Sequence, residues 1–357
     1  MFIVNDFGTC LSSIMKRFFL ILSAFILILA AAGSSVQSQD LQRFSFDSRH
    51  MGTQITIILY AQDETEAYRA SEAAFERIEE LNQMMSDYIE NSELNRLSRT
   101  SGSGEWMKIS NDLFQVLKTS KIISKNTNGL FDVTMGPLTH EWRYIRMMPE
   151  PELPDEEELT QLLERVGYQH LELDKESGSA RLSRENMQLD LGGIAKGFAA
   201  EEAIKTLKDL GIKSALVDAG GDITISEPPP GRSSWTVAVP KGTPAGEPEM
   251  ISLQMSNKTV TTSGDMFQFL EIEGERYSHI INPKTGLGST SRIQATVISK
   301  NGMFADAYAS ALTLMEPEEG IELINSLEST EAVIFQEFEG VINEWSSDGY
   351  ENYLNNH

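Results

Sequence analysis

Asp306 and Ser310 stand four residues apart in the apolar segment GMFADAYASALTLM, Gly302 to Met315. That spacing places both on one face of a helix. A carboxylate in such surroundings needs a partner, and a bound cation is one. Mg²⁺ takes oxygen ligands, often one or two carboxylates together with substrate phosphates. The plainer alternative is an Asp near a helix N-terminus, steadied by the macrodipole.

A second candidate is LDLGGIAKGFAAEEAI, Leu189 to Ile204. Gly192 and Gly193 let backbone amides face outward where a helix begins, a place that attracts phosphate. Lys196 adds positive charge in the first turn, and Asp190 ends the preceding strand. The spacing is neither that of a P-loop nor GxGxxG, so a simple turn with an exposed lysine stays open as a reading. Another glycine pair, Gly220-Gly221 in LVDAGGDITI, is expected near the first at one sheet edge. Of the five histidines, only His279 sits among polar groups, ahead of a Pro-Lys-Thr-Gly turn. Its imidazole suits a general base near neutral pH, a purely structural histidine being the ordinary alternative. In GLFDVTMGPL, Gly129 to Leu138, Phe131 reads as core and Asp132 as a turn former.

The elements that must position these residues follow from periodicity. Thr53 to Tyr60, rich in Ile and Thr, predicts a strand. Ala67, Ala70, Ala74, Ile78, Leu81 and Met85 recur at helical spacing through Glu64 to Ser86. A helix is expected from Asn111 to Lys125, and an acidic, Pro-rich loop from Met148 to Glu158 leads into a short one. Met187 to Leu191 reads as a strand, followed by a helix that Gly211 ends and by the strand Ala215 to Val217. That sequence predicts a strand-helix-strand unit of parallel strands. The last third predicts strands at Trp235–Val239, Ile251–Met255, Phe267–Ile272, Tyr277–Ile281 and Ile293–Ile298. A helix near Ala305 to Met315, another after Pro317 and the strand pair Ala332–Phe335 and Val341–Trp345 complete it. The fold class is α+β, in a single domain.

Composition narrows the function. A chain of 357 residues with 40% hydrophobic content can bury a sizeable core. The formal charge of -24 argues against nucleic acid, whose phosphates need Lys and Arg. Lys16 and Arg17, the apolar run Phe18 to Leu29 and the small residues after it form a secretory signal, with Met15 available as an alternative start. An uncleaved anchor is the competing reading. The single cysteine, Cys10, precedes that run, so the mature chain has no thiol for disulfides, metal sites or lipid attachment.

These five segments, in this order, resemble the ApbE family of FAD:protein FMN transferases. So do MGT, Met51 to Thr53, and SDYIENSELNRL, Ser86 to Leu97. The resemblance spans roughly Met51 to Met315. It implies mixed sheets with packed helices in a T-fold-like arrangement, with FAD in a central cleft. With the leader read above, the chain divides into a signal peptide (1–33), a linker (34–42), the transferase domain (43–346) and a tail (347–357).

By the same resemblance, Met51, Tyr88, Leu130, Phe131, Asp132, Asp190, Lys196 and Ile280 fall at FAD contacts. Asp306, Ser310 and the backbone of Gly193 and Ala309 fall at the Mg²⁺ site, with Ser310 where relatives usually carry Thr. His279 falls at the catalytic base. The implied reaction moves FMN from FAD to a Thr or Ser hydroxyl of an acceptor protein and releases AMP. The implied acceptor belongs to an exported or membrane redox complex, and the enzyme is periplasmic or on the outer side of the inner membrane, not lipidated. Hydrolysis of FAD to FMN and AMP, or non-catalytic flavin carriage, are the alternatives. The lipid-anchor cysteine of many relatives is missing.

Overall fold

The run Thr53–Ala61 alternates as a half-buried strand must: Ile55, Ile57, Leu59 and Ala61 are sealed on one face, with more open residues between them. The helix after it begins at Asp63, whose side chain accepts the Glu66 N–H, a standard cap. The same Ala67-to-Met85 stripe read from the sequence is its buried face. Packed together, these faces start the main core.

The computed structural model describes residues 40–242, 249–264 and 268–354. The leader, Cys10 and Phe267 lie outside the described residues. From Leu41 onward the chain is one unit. Its strands are β1 (Gln42–His50), β2 (Thr53–Ala61), β3 (Met107–Lys108), β4 (Leu171–Asp174), β5 (Ser179–Leu182), β6 (Ala215–Asp218), β7 (Asp222–Ile225), β8 (Trp235–Lys241), β9 (Glu249–Met255), β10 (Lys258–Gly264), β11 (Phe269–Ile272), β12 (Glu275–Ser278), β13 (Ile293–Ser299), β14 (Thr330–Phe338) and β15 (Val341–Ser346). The helices are α1 (Glu64–Met85), α2 (Glu93–Arg99), α3 (Asn111–Asn126), α4 (Gly136–Ile145), α5 (Glu156–Leu163), α6 (Ala195–Asp209), α7 (Gly302–Leu312) and α8 (Pro317–Asn325).

Eight strands form the main sheet in the order β1-β2-β6-β7-β10-β13-β14-β15, and every neighbouring pair is antiparallel. On one face lie α1, α6 and α7 over the main core. The other face carries the β8–β9 hairpin, whose Trp235, Val237, Leu253 and Met255 pack with Val260, Ile298 and Phe335. Central β13 is covered on both sides and buried at every position.

The expected parallel unit does not form. Met187 to Leu191 is irregular chain with one bridge, Gln188 beside Met135, and β6 turns straight back as β7 through Gly220 and Gly221. Both glycines have positive φ, 72° and 98°, which is what a two-residue hairpin turn demands. The strand expected at Tyr277–Ile281 ends at Ser278, leaving His279 in the bend beyond it. The expected tail past Ser346 also packs: Tyr350 is buried in the second core, and Leu354 bridges Leu253.

Candidate active site: a cleft over an acidic cluster

Three pieces of chain converge on one cleft of about 270 Å³. The first is the segment 130–133, which runs beside 188–190; the Asp190 N–H donates to Val133 O at 2.8 Å. The second is the turn Gly192-Gly193 ahead of α6. The third is the bend after β12. That bend is anchored by a small separate core, where Trp142 of α4 packs with Leu138, Leu162 and Ile281. Trp142 also donates its indole N–H to Gly286 O at 2.8 Å.

Tyr88, Leu130, Phe131, Asp132, Asp190, Gly193, His279, Ile280 and Ser310, all singled out from the sequence, line this cleft. His279 bonds through Nδ1 to the Gln268 carbonyl at 3.0 Å. A carbonyl only accepts, so Nδ1 carries a hydrogen, and in the neutral ring the basic nitrogen is Nε2. Asp132 lines the cleft, and its carboxylate is a turn former. It accepts the Thr134 N–H and hydroxyl at 2.8 and 2.7 Å and the Tyr168 N–H at 2.7 Å. Its buried oxygens thus hold the turn to the segment around Tyr168.

The floor of the cleft continues into a buried acidic cluster. Ser310 lines the cleft, and its hydroxyl lies 3.1 Å from that of Ser263. Asp306, one turn earlier on α7, accepts the Gly197 N–H at 3.0 Å. It is the fifth residue of its helix, and Asn301 caps that helix, so the N-terminal macrodipole reading does not apply. Burial, with the negative charge of Asp222 nearby, pushes the Asp306 carboxyl up to about 7. Lys196 reaches Asp222 with its ammonium. Burial opposes that positive charge, yet Asp222 and Asp306 outweigh it and keep the lysine firmly protonated. The exposed lysine of the plain-turn reading is not what forms: Lys196 is half-buried and paired with Asp222.

Met51 does not line the cleft. It occupies the β1–β2 turn with φ 49° and packs against the main core. Ala309 is fully buried on α7. Sequence reading missed Asp222, Asp218 and Arg143. Asp222 accepts the Thr261 hydroxyl at 2.7 Å, and Asp218 accepts the Gly221 N–H at 2.8 Å. The available signal was the pair of aspartates flanking the glycines in DAGGD, which a hairpin brings together.

A hard divalent cation fits this cluster. Its donors are all oxygen, and three carboxylates share one ammonium. Among the described residues no group of three or more His, Cys, Asp or Glu side chains is placed to hold a metal ion by itself. The rest of a coordination shell would have to come from hydroxyl, backbone and substrate oxygens.

The chain matches the ApbE family over residues 51–334 and belongs to it. It is 28% identical over 311 residues to the FAD:protein FMN transferase of Haemophilus influenzae, covering 85% of this chain and 89% of the relative. With the enzyme of the same name from Vibrio cholerae it shares 29% identity over 278 residues, 78% and 82% of the two chains. The solved structure of flavin transferase ApbE from Vibrio cholerae superposes with a TM-score of 0.79 at 26% identity, covering 88% of this chain and all of that one.

Proposed function

We propose that this chain is a Mg²⁺-dependent transferase that moves FMN from FAD onto a Thr or Ser hydroxyl of an acceptor protein. One observation carries the reading: Tyr88, Phe131, the 192–193 turn, His279 and Ser310 line one cleft, and Ser310 stands one helical turn from the buried Asp306 on α7. Flat rings, phosphates and a proton acceptor are thereby served in one place.

The acceptor hydroxyl oxygen attacks the FMN-side phosphorus, and the bond from that phosphorus to the bridging oxygen breaks. AMP departs with the electron pair. His279 Nε2 takes the hydroxyl proton, its ring held by the Nδ1 bond to Gln268 O. Asp306 and Ser310, with the backbone of Gly193 and Ala309, would hold the metal, which when bound neutralises charge on the pyrophosphate. In the 192–193 turn Asp190 holds the Gly192 N–H, and the Gly193 amide is the one offered to the phosphates.

The protein works outside the cytoplasm, a reading supported by Lys16-Arg17 and the apolar run behind them. Incubation with FAD, Mg²⁺ and a candidate acceptor, followed by intact-mass measurement, tests the transfer. The expected result is a gain of one FMN on the acceptor. Release of FMN and AMP with no gain identifies a hydrolase instead.

A further inference from the structure

Tyr88 is unusual for a residue at a cleft: it is 76% exposed, yet it is not loose. The Arg143 guanidinium lies over its ring, 4.2 Å from the centroid. Arg143 in turn is tied at both ends. Its Nη1 donates to Asp87 and its Nη2 donates to Asp190 at 2.9 Å. Those two side chains are only 8% and 10% exposed. Asp190 also accepts the Gly192 N–H at 2.7 Å, a second bond that fixes its carboxylate.

We propose that Arg143 is a positioning residue that holds the Tyr88 ring as a one-sided platform, against whose open face a flat heteroaromatic ring of the ligand stacks. The proposal rests on reading the cleft as a FAD site. A guanidinium spread on one face of a tyrosine fixes the ring's tilt and leaves the opposite face for stacking. Two carboxylates keep that guanidinium from following the ligand. An arginine is needed because only a planar fork can pair with both acids and still present a flat face.

The experiment uses the full exported chain and the variants R143M, R143K, Y88A and Y88A/R143K, with FAD titration, single-turnover transfer and ¹⁹F spectra of protein carrying fluorotyrosine. R143M leaves Asp190 without its guanidinium and Asp87 with His140 alone, so R143K, which keeps a charge between them, is the decisive variant if R143M fails to fold. R143K is expected to weaken FAD binding by about tenfold, more than it slows transfer at saturating FAD. It should also sharpen and shift the Tyr88 resonance in protein without ligand. Y88A/R143K should bind no worse than Y88A, because Arg143 acts through Tyr88. Multiplying losses in the double variant, or an unchanged Tyr88 resonance in R143K, overturns the proposal. A shifted resonance in a protein that never binds FAD keeps the platform and overturns the functional reading instead.

Discussion

Gly197 and Gly302 face each other where α6 crosses α7. A Cβ on either one would lie 2.2 Å from the other's carbonyl oxygen. No rotamer change relieves such a clash, because both partners are backbone. The close crossing also lets the Asp306 carboxylate reach the Gly197 N–H, so the packing of two helices and the acid at the cleft floor are one arrangement.

Gly197→Ala should therefore destabilise by about 3 kcal/mol, at the upper end for overpacked cores. Urea unfolding measures it. A variant as stable as the parent would mean that the helices can separate at little cost.

Asp87 gives the protein an acid-sensitive contact. Burial raises its carboxyl, but the hydrogen bonds and charges of His140 and Arg143 outweigh that and hold it below the usual range. A depressed carboxyl stabilises the fold above the unfolded value, near 3.9. That stability is lost as pH falls through the lower folded value. Asp87→Asn should be less stable than the parent by about 2 kcal/mol near neutral pH. The gap should close once pH drops below the folded value. Denaturant titrations across that range check both the size and the direction.

Much of this site was legible in the sequence because its local signals are strong. Gly192-Gly193, His279 and the Asp306–Ser310 spacing each announce themselves within a short window, and all but Asp306 line the cleft. The α1 stripe was legible for the same reason. What stayed hidden depends on distant partners. Lys196 is neutralised by Asp222, 26 residues away, and Arg143 is held by Asp190, 47 residues away. The parallel unit was misread because Met187 to Leu191 has the apolar texture of a strand but bonds to the irregular segment 133–136. Periodicity could not separate those alternatives.

Asp306 should trade stability for function. Asp306→Asn keeps a side-chain oxygen for the Gly197 N–H while removing a buried charge. In metal-free protein it should be as stable as the parent or more so. Transfer should be lost, and added Mg²⁺ at ordinary concentrations should not restore it. Ser310→Thr should stay active because the hydroxyl remains. EDTA should silence the parent enzyme. Wild-type turnover by Asp306→Asn would remove Asp306 from the metal site.

His279 and Lys196 should separate chemistry from architecture. His279 stands in the bend after β12, half-buried, with Nδ1 on a backbone carbonyl. Its removal leaves the main core untouched. His279→Ala should keep its unfolding midpoint and its FAD affinity while transfer slows by about 10²–10⁴-fold, the usual contribution of a general base. Lys196 sits instead between acids, and its loss leaves Asp222 and Asp306 without the ammonium that balances them. Lys196→Met should cost about 3–5 kcal/mol of stability, as expected when one partner of a buried pair is removed. Its FAD binding should fall with the fold, not ahead of it. Unfolding curves, FAD titrations and single-turnover transfer on both variants decide the matter. If His279→Ala transfers at the normal rate, the proton goes elsewhere. If Lys196→Met keeps its stability but loses FAD, the lysine meets the ligand after all.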